Sequence, residues 1–417
     1  MSYQILNSEM LPDYVLTIQR CVDVLGGDGE DLVVTEIGDG NLNYVYRVTR
    51  PGTEKRSVIV KQAVPYLRMV GEEWPLSKDR MITEIRALQA YNRIAPDFVP
   101  DIYHADEEMC VLIMEDLGDV KVLRYPMMEG VAFPNVGVEI GRFLAVTLFN
   151  TSYLGMQSVE RRKLMADFTL NDDLCKLTEE FIFTFPYIDH ESNYENAPTN
   201  KYALELFRSD PEYLTRVLHF KELFLSKADA LLHGDLHTGS LMAGGDQTFI
   251  IDTEFAFFGP FGFDVGKIIA NFLMSYTSHF HRSGGPKYQT WLLEEVRNIW
   301  TTFEREFSAL WAAAPASALV HDGFLDAQDL AAYKAGFMKR VFQDAIGFCA
   351  CSLARRTVGI AGVADIRDIE DVKARTNLEK INIGLSYRLM MDHDQIDDID
   401  AFIATVETFY SEKMTLS

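Results

Sequence analysis

The apolar residues of this 417-residue chain change their period near Gly118, and that change limits what the chain can fold into. Before it, they recur in short β-rich runs. Residues 31–50 (DLVVTEIGDGNLNYVYRVTR) hold two such runs around a Gly-Asp-Gly-Asn turn, and RSVIVKQAV follows the turn at Pro51 and Gly52. Residues 99–106 and 109–118 read as two further strands, with a helical segment at 78–94 ahead of them and a short helix over 10–26 that ends at Gly26 and Gly27. After Gly118 the pattern is mainly helical, with one strand-rich interruption between residues 231 and 257. This order predicts a bilobal α+β chain: a small N-terminal β-sheet lobe with a helix at residues 1–117, a hinge near 115–118, and a larger, mainly helical C-terminal lobe at 118–417. The length agrees, because one hydrophobic core rarely serves more than about 250–300 residues.

Nearly half of the residues are apolar and charged residues are at ordinary abundance, which excludes a disordered chain. The formal charge of −23 argues against a nucleic-acid partner, which needs Lys and Arg clustered over a broad face; any phosphate site must be local. Cys21, Cys110, Cys175, Cys349 and Cys351 are scattered without a C-x-x-C pair, so a reducing, cytoplasmic setting is expected rather than a disulfide framework. Cys349 and Cys351 lie in an apolar helical stretch and read as small core residues. The N-terminus has no basic region followed by an apolar run, and no stretch reaches about 18 consecutive apolar residues, so neither secretion nor a membrane span is expected.

Chemistry concentrates in LLHGDLHTGSLMAGGDQTFIIDTEFAFFGPFGFDVG, which places Asp235 after one apolar run and Asp252-Thr253-Glu254 after a second. Phosphoryl transfer needs a carboxylate to orient the attacking hydroxyl and accept its proton, and acidic ligands to hold magnesium against the phosphates. Asp235 suits the first task. Asp252 and Glu254 suit the second, since an extended backbone would put both on one side and magnesium takes oxygen ligands. Each acid alone reads better as an ordinary cap, turn or strand-end residue; the constellation carries the signal. His233 and His237 stand at H-x-x-x-H spacing, but no second pair of that or similar ligand spacing accompanies them, so a metal site built on them is disfavoured and His233 reads as a packing residue for the loop.

Upstream, Gly38, Gly40, Asn41 and Asn43 sit between two predicted strands, where glycines let backbone N–H groups approach phosphates. The same string also makes a plain hairpin turn. Lys61 follows Val58-Ile59-Val60 on the next strand; an ammonium leaving a buried strand needs a partner that triphosphate oxygens supply, and taken alone the residue is equally an exposed strand lysine. Glu84, on the following helix, is the candidate to pair with Lys61 or is a solvated helix charge. The P-loop and Rossmann fingerprints are missing.

Taken in order, the glycine loop, strand lysine, hinge, H-G-D and D-x-E resemble the protein-kinase-like fold shared by aminoglycoside and choline phosphotransferases. Those families carry Asn five residues after the catalytic Asp, where this chain has Ser240, which leaves the second metal contact open. Residues 233–240 (HGDLHTGS), 38–44 (GDGNLNY), 71–76 (GEEWPL), 255–262 and Gly262-Phe263-Asp264 are similar to motifs of the 5-methylthioribose kinase family, across residues 31–365.

The resemblance implies that Asp235 is the catalytic base, that Asp252 and Glu254 bind Mg2+, and that Lys61 and Asn43 contact ATP phosphates. It implies that Glu115, Asp116 and Leu117 form the hinge whose backbone pairs with adenine, that Thr253 stands where the family has proline, and that the protein is a homodimer. Arg355 and Arg356 resemble the family's twin-arginine segment that reaches the sugar. Adjacent helical residues point apart, so one is expected to be functional and the other structural, with the choice open. Trp74 lies in a Gly-Glu-Glu-Trp-Pro stretch not expected to be regular structure, either as a lid over the site or as a core anchor. Asp264 is expected to cap its helix or to tie down the catalytic loop from behind.

The resulting expectation is phosphorylation of the C1 hydroxyl of methylthioribose by ATP, in methionine salvage. The residues themselves support only the reaction class. A kinase of choline, homoserine or an aminoglycoside, and a nucleotide-binding pseudokinase, are the alternatives; two arginines argue against a cationic aminoglycoside, and retention of Lys61, Asp235, Asp252 and Glu254 argues against a pseudokinase.

Overall fold

A computed structural model describes residues 3–27, 31–37, 42–52, 56–68, 71–118, 120–194, 196–314 and 317–414. The glycine-loop residues Gly38, Gly40 and Asn41 lie outside the described residues. The chain forms two compact units, one of residues 1–120, 170–174 and 249–256, the other of residues 121–169, 175–248 and 257–417. A boundary at 117/118 treats the lobes as consecutive; the first unit also takes in two segments from later in the chain.

The first unit is built on a five-stranded antiparallel sheet in the order Val33–Glu36, Asn43–Arg50, Arg56–Ala63, Val111–Glu115, Ile102–Asp106. Strand alternation decides its two faces. Val58 and Val60 turn to a core shared with Leu11, Val15, Cys21 and Leu25, which come from two short helices, Leu11–Leu16 and Gln19–Leu25. Lys61, one residue out of phase, points to the opposite face. There the helix Arg80–Ile94 lies, with Glu84 among its buried residues. The single helix expected over residues 10–26 is broken because Ile18 adopts an extended conformation; Gly26, at φ 66°, stops the second piece.

The stretch around Trp74 is regular, against expectation: Gly71–Pro75 pairs with Tyr66–Leu67 as a two-stranded ribbon. Strands of two and five residues carry little periodic signal, and the pairing makes the structure. Trp74 is 39% exposed, so it is not a core anchor.

The second unit is mainly helical, as the α+β reading requires. Its centre is the helix Gly262–Ser278, of which every residue but Tyr276 is buried. It packs very closely on the helix Ala327–Val358: a Cβ at Gly266 would sit 2.3 Å from the Ala345 carbonyl, so only glycine permits the approach. Phe263 joins Phe183, Phe224, Phe257 and Phe348 in an aromatic core beneath. The strand-rich interruption yields short pairs, Ala230–Leu232 with Phe257–Gly259 and Leu241–Gly244 with Lys121–Val122. Among the described residues no helix is long and apolar enough to cross a membrane.

Candidate active site

The residues expected to act divide into two sets, one in each unit. In the first unit, Lys61 is buried and its Nζ lies 2.7 Å from Glu84 Oε1 and 2.5 Å from Asp252 Oδ1, which establishes the strand-to-helix ion pair. Burial alone would lower the Lys61 pKa, but Asp252, Glu84 and Glu254 reverse this and raise it, so the ammonium is fully charged. Asn43 Nδ2 donates to Glu254 Oε2 at 2.8 Å.

Asp252 and Glu254 do come together, though not by the extended backbone that their spacing invites. Asp252 is left-handed (φ 68°, ψ 53°) and residues Thr253–Phe255 form a 3-10 turn. A non-glycine residue in that region costs about 1–3 kcal/mol and persists where its surroundings over-determine it. Those surroundings are visible here: Thr253 Oγ1 donates to the Glu84 carbonyl, and Asn171 Nδ2 donates to the carbonyls of Glu254 and Ala256 at 2.9 and 3.0 Å.

Carboxylate oxygens of Glu84, Asp252 and Glu254 lie within 4.8 Å of one another. Burial, then the neighbouring Asp252, pushes the Glu254 carboxyl up to about 7, and Glu84 Oε2 has no hydrogen-bond partner among the described residues. An all-oxygen group with excess negative charge is what a hard divalent cation offsets, so these residues fit magnesium, with Asp252 the most exposed ligand at 46%. Arg80, absent from the sequence expectations, organises this set: its guanidinium reaches Asn43 Oδ1, the carbonyls of Leu42, Val64 and Ser77, and Glu254 Oε2. A basic residue at a helix start reads as solvated, and nothing in its local sequence gives this role away.

In the segment expected to be the hinge, the Asp116 carboxylate is spent on the sheet, accepting from Ser57 Oγ, the Gly118 N–H and the Arg47 guanidinium. The Glu115 N–H donates to the Asp101 carbonyl.

In the second unit, the loop after strand Ala230–Leu232 turns through Gly234 at φ 83°, a conformation that favours glycine. Asp264 ties it down from behind, accepting the His233 and Gly234 N–H groups at 2.7 and 3.1 Å; it does not cap its helix. His233 is buried and its Nδ1 accepts the Asp235 N–H, the packing role expected of it. Ser240 Oγ accepts the His237 N–H and lies 3.0 Å from both the Asp235 and His237 carbonyls, so Ser240 serves the loop itself.

The Asp235 carboxylate is surrounded by donors. Lys267 Nζ pairs with Oδ1, Arg356 Nη2 lies 3.3 Å and Arg355 Nη1 4.0 Å from the same oxygen, and His237 Nε2 lies 3.3 Å from Oδ2. Burial alone would raise this carboxyl, but Lys267, His237 and Arg356 hold it well below the usual carboxylate range. His237 Nδ1 receives the Gly239 and Ser240 N–H groups at 2.9 and 3.1 Å, so that nitrogen is unprotonated. Burial brings the imidazole down to about 3, so it is neutral, carries its proton on Nε2 and donates to Asp235.

The expectation that adjacent arginines diverge is corrected: Arg355 and Arg356 both reach Asp235, because long side chains at the last turn of the helix swing together across their angular offset. Arg355 Nε and Nη1 have no hydrogen-bond partner among the described residues. Arg124 joins them, its guanidinium near Thr238 Oγ1, His237 Nδ1, Asn271 Oδ1 and Asp365. Arg124 and Lys267 escaped sequence reasoning, but Lys267 had a signal: a lone ammonium in the apolar run GFDVGKIIANFLM must be paired if that helix is buried.

Residues 33–297 match the phosphotransferase enzyme family. Methylthioribose kinase of Geobacillus thermodenitrificans (strain NG80-2) is 38% identical over 376 residues, covering 90% of this chain and 91% of that protein. Methylthioribose kinase of Bacillus anthracis is 38% identical over 372 residues, covering 89% of this chain and 90% of the relative. The solved structure of a choline kinase from Cryptosporidium parvum Iowa II aligns with 96% of this chain and 99% of its own at 12% identity and a TM-score of 0.49. On identity at this level along nine-tenths of both partners, together with the family match, the chain belongs to the phosphotransferase enzyme family and, within that family, to the methylthioribose kinases.

Proposed function

We propose that the chain transfers the γ-phosphoryl group of ATP to the C1 hydroxyl of 5-methylthioribose, giving 5-methylthioribose 1-phosphate and ADP in methionine salvage. Membership of a kinase family brings ATP as donor. The observation that carries the mechanism is the Asp235 carboxylate, ionised and fixed from both oxygens, as a group that orients a hydroxyl must be.

In this reading the hydroxyl donates to Asp235 Oδ2 beside the His237 Nε2–H. As its oxygen bonds to phosphorus and the bond to the ADP oxygen breaks, the proton passes to Asp235. Arg355 and Arg356, with donors to spare, take the sugar hydroxyls and the charge that grows on the phosphoryl oxygens. Lys61 and Asn43 serve the donor phosphates, with the glycine loop of Gly38, Gly40 and Asn41. The backbone of Glu115, Asp116 and Leu117 takes the adenine, Thr253 holds the turn, and Trp74 acts as a lid that excludes water. Asp252 and Glu254 are the residues that would hold Mg2+, which supplies charge neutralisation at the transferred phosphates.

The second set carries Lys267, Arg124, Arg355 and Arg356 against Asp235 and Asp365, a cationic surround that disfavours aminoglycosides and choline as acceptors and suits a neutral sugar that becomes an anionic product. An ADP-release assay on the purified chain with methylthioribose, choline and aminoglycosides, and with Asp235→Asn as control, tests the proposal. Methylthioribose-dependent turnover that the control lacks is the expected result. No such turnover sinks the substrate assignment, and an active control sinks the role of Asp235.

A further inference from the structure

Lys267 occupies a position that a lysine should avoid. It is 2% exposed, in the middle of a helix buried on nearly all sides, with its Nζ over the Phe263 ring at 5.1 Å. Placing an ammonium there costs several kcal/mol unless charge and hydrogen bonds compensate. Neutralising Asp235 does not require it, because Arg356 and Arg355 already stand 3.3 and 4.0 Å from the same carboxylate.

What Lys267 adds is geometry. Its Nζ donates both to Asp235 Oδ1 and to the Gly234 carbonyl at 3.0 Å, spanning the side chain of one residue and the backbone of the residue before it. Asp264, one turn earlier and on the same face of the helix, accepts the His233 and Gly234 N–H groups. Asn271, one turn later, lies against Thr238 through Oδ1 while its Nδ2 donates to the Lys267 carbonyl. One helix face thus holds the loop at two N–H groups, one C=O and the reacting carboxylate. Neither arginine touches the loop backbone in this way: Arg356 Nη1 donates to the Ala361 carbonyl.

We infer that Lys267 is a positioning residue for phosphoryl transfer, locking the Asp235 carboxylate with Oδ1 turned to the protein so that Oδ2 alone faces the acceptor hydroxyl. This rests on the function proposed above. The groups around Lys267 are Asp235, His233 and His237 on the loop, Asp264 on its own helix, and Arg355 and Arg356 on the facing helix. Burial, with the two arginines adding to it against Asp235, brings the Lys267 ammonium down to about 8. Above that pH the lock opens, so the basic limb of the activity profile belongs to Lys267.

Lys267→Met and Lys267→Arg, made in the full chain, test this. For Lys267→Met, kcat falls about 10²-fold because misplacement of a reacting group by an ångström costs that much, while KM for ATP stays within twofold. Its basic limb near pH 8 disappears. Lys267→Arg keeps a charge that does not titrate, regains part of kcat and moves the limb above pH 10. Unchanged kcat and an unmoved limb in both variants overturn the inference, as does a loss confined to KM.

A readout independent of turnover separates this from failure of the functional proposal and from failure of a variant to fold. The Asp235 carboxyl 13C signal of the wild-type chain, identified by its absence in Asp235→Asn, shifts with a midpoint near pH 8 as Lys267 loses its proton. A signal flat from pH 6 to 10 refutes the lock even if methylthioribose proves not to be the substrate; an inflection near pH 8 without turnover leaves the lock standing and the substrate wrong.

Discussion

Replacing Lys61 with methionine isolates the electrostatics of the first set, because methionine keeps the length and packing of the stem and removes only the charge. The loss falls unevenly on the two partners. Asp252 is 46% exposed and water replaces the ammonium, whereas Glu84 is buried and already has one oxygen without a partner among the described residues. Stranding a buried charge costs about 3–5 kcal/mol, but the protein can escape by protonating it. With an unfolded pKa of about 4.3, protonation at pH 7 costs about 1.36 × 2.7, or about 3.7 kcal/mol, which caps the loss; at pH 5.5 the cap is about 1.36 × 1.2, or about 1.6 kcal/mol. The sign follows from an acid whose folded pKa is raised: the penalty exists only above the unfolded pKa and shrinks as pH falls towards it. Hydrogen exchange of peptides from the strand Arg56–Ala63 and helix Arg80–Ile94 reports on this unit alone. The destabilisation caused by Lys61→Met should drop by about 2 kcal/mol between pH 7 and 5.5, and Glu84→Gln added to it should recover most of the loss at pH 7. An equal loss at both pH values, or no recovery in the double variant, refutes the reasoning.

Asp235→Asn should lower kcat by about 10²–10⁴-fold with KM for ATP little changed, measured by steady-state ADP release. Asp264→Asn leaves one of two loop N–H groups facing an amide NH2 rather than an acceptor, and should cost about 1–3 kcal/mol of protection in peptides covering residues 233–240. The 15N shifts of His237 should show an unprotonated Nδ1 and no titration between pH 5 and 8; a midpoint near 6.5 contradicts both the tautomer and the lowered pKa. Glu254→Gln should raise the magnesium concentration for half-maximal activity by about tenfold or more, and an unchanged requirement removes Glu254 from the metal site.

Much of this was legible in the sequence because it rests on short-range periodicity. Strand alternation puts Lys61 on the face away from Val58 and Val60, and Glu84 is the one acid of the next helix, so two local patterns made it the candidate partner, and the structure decides for the pair over a solvated helix charge. The H-G-D loop and the tether at Asp264 are similarly close in sequence. What stayed hidden depends on contacts between distant segments. The left-handed turn at Asp252 is imposed by Asn171 and by the helix bearing Glu84, neither of which its own tripeptide reveals. Arg80 gathers three carbonyls, an amide and a carboxylate from four stretches of chain, and no spacing rule encodes that. The convergence of Arg355 and Arg356 depends on side-chain reach, which helical wheel reasoning ignores. The ribbon holding Trp74 pairs two strands of only two and five residues, below what alternation can register.

The central claim is transfer of a phosphoryl group to the anomeric oxygen of methylthioribose, and the product answers it most directly. Incubation of the purified chain with ATP, magnesium and methylthioribose, followed by phosphorus–proton correlation NMR, should give a new phosphate signal coupled to the anomeric proton H1, formed in equal amount to ADP and missing with Asp235→Asn. A phosphate coupled to H2 or H3, or ADP formed without any phosphorylated sugar, would contradict the account.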